Sequence, residues 1–275
     1  MTHTTVPVIF DLDGTLVDPA GGITGGIAAA LTELGLPVPV QSRMDAMIGP
    51  KLSHSLTEIA GVPAALLADA IRIYRAHYVS TGIAQSRLYP GIRDLLEDLV
   101  AAGRPIAVAT QKPEGLARTV LAHHGIAGLF HSIRGSAADE AGPRAGTASE
   151  GSVPEDAVPE DAVPQGKAEI VAAALSDLAA GDPAAAGRAV MVGDRAQDVA
   201  GAAANGLDCI GVGCGFAPDG ELDTAGAVEV VHTSTALYET IARRDAAHSH
   251  AVTPKTANPD LTTQAQDEVH IDGNV

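Results

Sequence analysis

The run "VPVIF" at residues 6–10 places β-branched and aromatic side chains almost without interruption, which predicts a short strand buried on both faces, as inside a parallel sheet. The period then changes. In "GGITGGIAAALTELGL" (21–36) Ile23, Ile27, Leu31 and Leu34 recur at helical spacing, and Gly35 stops the helix. Residues 41–86 read as further helices, "SHSLTEIAG" and "PAALLADAIRIYRAHYVSTG", with Pro63 suited to a helix start and no strand-like run between them. From Tyr89 strands and helices alternate. "PGIRDLLEDLVAAG" predicts a helix, "PIAVAT" a strand ending at Thr110, "PEGLARTVLAHHG" a helix and "LFHSIRG" a strand. Later, "AEIVAAALSDLAAG" predicts a helix, "RAVMVGD" a strand ending at Asp194, "AQDVAGAAANG" a helix and "LDCIGVG" a strand; "AVEVVH" and "STALYETIARR" add one more of each.

This alternation implies an α/β fold, a doubly wound parallel sheet with helices on both faces and right-handed crossovers. The helical block after the first strand implies a helical insertion, a small domain of its own. The expected organisation is a core of residues 1–19 and 87–243 and a helical domain of 20–86. Two segments carry no such pattern. Residues 136–165 hold seven acidic residues against one arginine and the repeat "VPEDAVPEDAVP", which predicts a disordered acidic insertion; 244–275 is polar and broken by prolines, which predicts a flexible tail whose His248 and His250 are solvated.

A chain of 275 residues with 46% hydrophobic residues can bury one sizeable core and a smaller domain. No apolar run nears the roughly 20 residues that span a bilayer, and "MTHTTVPVIF" lacks a basic region ahead of a signal-length apolar segment, so a cytoplasmic location away from membranes is expected. Cys209 and Cys214 in "CIGVGC" fit neither a redox pair nor a zinc ribbon and read as buried free thiols. A formal net charge of -17 disfavours nucleic acid as a partner and demands locally concentrated cations, or a metal, at any site for an anionic substrate. The chain has only four lysines, Lys51, Lys112, Lys167 and Lys255, so each position is informative.

The predicted strand ends share a chemistry. Asp11 and Asp13 of "VIFDLDGTLVD" follow one strand, Thr110 another, and Asp194 with Asp198 a third, all at the edge where open α/β sheets bind ligands. Lys167 opens a helix after the acidic stretch. Each has an ordinary alternative: Asp13 a turn residue before Gly14, Thr110 and Asp194 helix caps, Lys167 a solvated helix residue. Together they form a carboxylate cluster, a hydroxyl and an ammonium. Phosphoryl transfer requires such a set: a nucleophile, a divalent cation, donors for phosphate oxygens and an acid for the leaving group. A hard oxygen site of this kind suits Mg²⁺.

"DLDGTLVD", the Thr closing "IAVAT", the Lys at a helix start and "GDRAQD", in this order, resemble the four signatures of the haloacid dehalogenase superfamily of phosphatases over roughly residues 6–243. The resemblance implies Asp11 as nucleophile and Asp13 as general acid and base. It implies Thr110 and the Gln111 backbone N–H as phosphoryl ligands and Lys167 as a catalytic neutralising cation. Mg²⁺ would be held by Asp11, the Asp13 carbonyl and Asp194, with Asp198 and Thr15 supporting. The helical block corresponds to the superfamily's mobile cap. "IGPKLSHSL", "YRAHYVSTG", "YPGI", "VATQKP" and "VGDRAQDV" look closest to the branch with phosphoglycolate phosphatases and 5'-nucleotidase-like phosphatases. There Gly49 and Lys51 of "IGPKL" would meet the substrate's leaving group, while Arg75 reads as a solvated helix residue. Gln111 departs from the usual Ser or Asn, and the acidic insertion before Lys167 departs from the usual short loop. The implied activity is hydrolysis of a small phosphomonoester. A phosphomutase of the same superfamily shares these residues. A phospho-receiver switch shares the Asp, Thr and Lys but has no need of Asp13 or a lid.

Overall fold

The computed structural model describes residues 5–19, 21–136 and 166–251. Its strands are β1 (Val8–Phe10), β2 (Val17–Asp18), β3 (Arg87–Leu88), β4 (Ile106–Pro113), β5 (Ser132–Ser136), β6 (Val190–Gly193), β7 (Asp208–Val212) and β8 (Glu229–Val231). Six of them form one sheet in the order β5-β4-β1-β6-β7-β8, with every neighbouring pair parallel. The doubly wound parallel sheet expected from the alternation is therefore the fold.

Side chains along a strand point alternately to opposite faces, and β1 divides accordingly. Val8 and Phe10 belong to one apolar core, with the helices Ile92–Ala101, Glu114–His123 and Ser234–Ala251. Ile9 belongs to the other, with Ala107, Ala109 and Met191 and the helices Lys167–Gly181 and Ala196–Ala204. A strand buried from both sides needs the unbroken apolar run seen in the sequence. β1 lies at the centre, with β4 on one side and β6 on the other, in registers Phe10↔Val108 and Phe10↔Val192. The chain reversal beside β1 opens the crevice where doubly wound folds bind ligands.

Between β2 and β3, which pair antiparallel as Val17↔Leu88 and Asp18↔Arg87, the chain forms the helical layer. Its main elements are Gly22–Glu33 and Leu67–His77, the latter running on into a π-helical turn, Tyr78–Gly82. Gly22 and Gly82 bring two backbones together: a Cβ on Gly22 would lie 2.5 Å from the Gly82 carbonyl oxygen. Tyr74 and Tyr78 stack one turn apart with ring centroids 5.7 Å from each other.

Three differences from the expected organisation have physical causes. The final helix runs to Ala251 rather than giving way to a tail at 244, because Asp245 is tied to the buried Arg104 guanidinium and accepts a hydrogen bond from the Val6 N–H at 2.9 Å. Ser136, expected to open the acidic insertion, belongs to β5, where its hydroxyl donates to the Gln111 carbonyl at 2.9 Å. Cys214 is exposed, since the chain has already left β7; Cys209, inside the strand, is a buried free thiol. Residues 137–165 and 252–275, which include most of the acidic stretch and of the tail, lie outside the described residues. No helix among the described residues is long and apolar enough to cross a membrane.

Overpacking a close backbone approach costs about 1–3 kcal/mol. Gly22→Ala is expected to destabilise the protein by about that amount, despite alanine's better helix propensity, as measured by denaturant unfolding. An unchanged midpoint would show that the two backbones separate freely.

Candidate active site

Asp11 follows β1 directly, and its N–H continues the ladder by donating to the Val192 carbonyl at 2.9 Å. The next residues close on themselves: the Leu12 carbonyl accepts from the N–H groups of Leu16 and Val17 at 2.9 and 3.0 Å, and Gly14 N–H donates to the Val17 carbonyl at 2.8 Å. This tight loop holds Asp11, Asp13 and Thr15, all buried, at the carboxyl edge of the sheet. Asp194 and Asp198 reach the same edge from the end of β6 and the first turn of the helix Ala196–Ala204.

Carboxylate oxygens of Asp11, Asp194 and Asp198 all lie within 4.8 Å of one another. Lys167, the first residue of its helix, sends its ammonium among them: Nζ is 2.8 Å from Asp11 Oδ1 and 2.7 Å from Asp198 Oδ1, and donates to the Ala109 carbonyl at 2.8 Å. Asp194 accepts from the Thr15 hydroxyl at 3.3 Å and from the Phe216 N–H at 2.8 Å. Asp198 also accepts from the Arg195 N–H at 3.0 Å, which caps its own helix.

Glycines make room for these groups. A Cβ on Gly14, which has φ of +87°, would lie 2.1 Å from Asp194 Oδ2, and one on Gly215 would lie 2.3 Å from the same atom. On Gly193 it would strike the Asp198 carboxylate, and on Gly201 the Lys167 stem. The sequence reading took none of these glycines as part of the site.

Three buried carboxylates stand together, and one ammonium pairs with two of them. Burial works against the Lys167 charge, yet Asp11 and Asp198 outweigh it and hold the group above its ordinary value. Burial first, then the neighbouring Asp198 and Asp11, holds the Asp194 carboxyl well above the usual carboxylate range. Burial also raises Asp198, with Lys167 opposing and Asp11 adding to the shift. A divalent cation is the group that a cluster of hard oxygen donors with surplus negative charge fits. Asp11, Asp194 and Asp198 could hold it. Asp198, read as a support, thus belongs to the cluster, and the Asp13 carboxylate does not.

The Asp13 carboxylate turns instead to Lys112, whose Nζ is 2.7 Å from its Oδ2. Burial raises the Asp13 carboxyl above its ordinary value, with Lys112 opposing. Both residues line a narrow cavity of about 50 Å³ between sheet edge and cap, together with Asp11, Thr110 and Gln111. The cap side of this cavity includes Gly49, Pro50, Tyr74 and Arg75. Gly49 thus lines the cavity, whereas Lys51 is not among the lining residues. Arg75, read as solvated, faces the cavity. The cationic groups on its wall are thus Lys112 and Arg75. A further link joins cap to core: Arg195 Nη1 donates to the Ile48 carbonyl at 2.6 Å, while Nε donates to Glu221 Oε1 at 3.0 Å.

The repulsion has a measurable sign. A carboxyl whose folded-state value is raised is neutral in both states below its ordinary value of 3.8, and opposes folding once the pH climbs above that value. Asp194→Asn keeps the shape and can still meet Thr15 and Phe216. In chelator-treated protein it is expected to raise the unfolding temperature at pH 7 and to leave it nearly unchanged once the pH is well below 3.8. Each ~1 kcal/mol should appear as about 2–4 °C in thermal unfolding. A variant less stable than wild type at pH 7 would remove the argument for surplus charge.

The family model described as haloacid dehalogenase-like hydrolase matches residues 8–206, and a second, described as HAD-hydrolase-like, matches 165–251. Tyrosine-protein kinase PtkA of Mycobacterium tuberculosis is 38% identical over 228 residues, 83% of this chain and 69% of its own. A 5'-nucleotidase of Pseudomonas aeruginosa is 35% identical over 78% of this chain and 86% of its own. The crystal structure of a predicted phosphatase from Clostridium acetobutylicum superposes with a TM-score of 0.71 at 30% identity, covering 87% of this chain and 99% of the other. The chain belongs to the haloacid dehalogenase-like hydrolase family.

Proposed function

We propose that this hydrolase is a Mg²⁺-dependent phosphomonoesterase that acts on a small cytoplasmic metabolite through an aspartyl-phosphate on Asp11. The observation that carries the reading is the placing of two buried carboxylates of different surroundings on one cavity. Asp11 is held by the Lys167 ammonium, and Asp13 is held away from the carboxylate cluster. Relatives named 5'-nucleotidase and phosphoglycolate phosphatase, the latter 32% identical over 49% of this chain, support a phosphomonoester as substrate.

In this reading an Asp11 carboxylate oxygen attacks phosphorus while the bond from phosphorus to the ester oxygen breaks. Asp13 gives that oxygen its proton, and the raised value of its carboxyl favours the protonated form that the step requires. Asp13 then takes a proton from water, which attacks the phosphorus, frees phosphate and restores Asp11. Thr110 and the Gln111 N–H hold the transferring group, and Lys167 keeps Asp11 ionised and offsets phosphate charge. Asp11, Asp194, Asp198 and the Asp13 carbonyl would hold Mg²⁺, which when bound would supply charge neutralisation at the phosphate oxygens. The cavity is narrow, about 50 Å³, and a cap that parts from the core would widen it for an ester. The net charge of -17 opposes nucleic acid as a substrate.

The relative named a tyrosine-protein kinase favours one second reading, in which the phosphoryl group passes on to a tyrosine hydroxyl rather than to water. One experiment separates them: phosphate release from a panel of phosphomonoesters, and labelling of a tyrosine-containing peptide by ATP, each with and without Mg²⁺, for wild type and Asp11→Asn. The expected result is metal-dependent phosphate release that Asp11→Asn lowers by at least ~10²-fold, with no peptide labelling. Labelling without release would replace the first reading by the second, and release that survives in Asp11→Asn would exclude Asp11 as the nucleophile.

A further inference from the structure

Lys112 was not assigned a role by the sequence, and its surroundings are unusual for a lysine. It stands near the end of β4, beyond Val108, the last β4 residue that pairs with β1, and alongside the loop that carries Asp13. Its side chain is 5% exposed, its Nζ is 2.7 Å from Asp13 Oδ2, and it lies 4.5 Å from the centroid of the Tyr78 ring. Tyr78 is fully buried and belongs to the π-helical turn of the cap. The cation is therefore clasped between a carboxylate of the core and an aromatic face of the cap, both of which favour its charge where water is excluded.

The other oxygen of the same carboxylate, Asp13 Oδ1, is buried and has no hydrogen-bond partner. A carboxyl group turns easily about its last torsion, which has broad, roughly two-fold preferences. Fixing one oxygen fixes the direction of the other. Resting on the phosphomonoesterase reading above, we propose that Lys112 is a positioning residue for Asp13: it binds Oδ2 so that Oδ1 is left to face the ester's leaving oxygen. Tyr78 completes the arrangement from the cap, so the general acid is aimed only when the cap is seated. Lys112 itself forms no bond to the reacting phosphorus and exchanges no proton; it orients the group that does.

A residue that aims a general acid affects leaving groups unequally. A nitrophenolate departs readily without a proton, whereas an alkoxide does not. Lys112→Met keeps the length and loses the charge. It is expected to lower kcat/KM for an alkyl phosphate on the order of 10- to 100-fold, within the range attributed to general acid catalysis, and to lower that for 4-nitrophenyl phosphate several times less. Tyr78→Leu should show a smaller loss with the same bias, and it keeps the test alive should Lys112→Met fail to fold. Lys112→Arg should recover part of the alkyl-ester rate, since it restores a cation to Asp13. Equal losses on both esters in the folded variants would overturn the proposal and leave Lys112 a structural cation. Failure of the parent reading looks different: wild-type protein would then hydrolyse neither ester.

Discussion

Three carboxylates cannot be buried together within 4.8 Å unless something opposes their charge, and the architecture is arranged around that constraint. Isolated ions lose several kcal/mol on leaving water, and like charges add to the loss. One ammonium, Lys167, meets Asp11 and Asp198; Asp194 is left with a hydroxyl and one N–H. Apolar walls would make the position untenable. The chain supplies backbone instead, with Gly14, Gly193 and Gly215 approaching so closely that no Cβ could stand there. The same surplus of negative charge that weakens the metal-free fold makes a site for a hard cation, so stability and function pull in opposite directions at this edge of the sheet.

The cap is tied to this edge by cations rather than by apolar packing alone. Arg195, between Asp194 and Asp198 in sequence, hydrogen-bonds the Ile48 carbonyl next to Gly49. Lys112, bound to Asp13, lies under the Tyr78 ring. The Asp194–Asp198 segment and the Asp13 carboxylate are thus each linked to the helical layer through a buried positive group. Displacing the cap would strip each cation of one partner and leave its core partner in place. Any displacement of the helical layer would therefore disturb the geometry of the site.

Most of the sheet was legible because its strands are buried on both faces and so read as unbroken apolar runs. The site residues at the ends of β1 and β6 were legible for a related reason: a polar residue after such a run has few places to go but the sheet edge. Lys112 escaped because "QKP" carries no strand signal, yet β4 extends through it to Pro113, held there by pairing of Pro113 with Ser136. The lysine chosen instead, Lys51, follows a suggestive Gly-Pro turn but is not among the residues that line the cavity. Gly14, Gly193 and Gly215 were given no role of their own, since the contact that excludes a Cβ joins residues as distant as Gly14 and Asp194. The last helix ran past its expected end for the same cause, a long-range pair between Arg104 and Asp245.

In the phosphomonoesterase reading, a chain with net charge -17 must receive a phosphate ester. Long-range attraction cannot do this, since the field of the whole molecule repels an anion. The cations that could act are concentrated where water is excluded: Lys112, Lys167 and Arg195 are all buried around the cavity or its floor, and Arg75 reaches its wall from the cap. At short range in such a place a fixed cation interacts far more strongly than it would on the surface. Each of these buried cations is nevertheless engaged by a group of the protein itself. A substrate's charge must therefore compete with Asp11, Asp13 or Glu221 for them, so that binding an anion loosens the ties that keep the metal-free site and its cap in place.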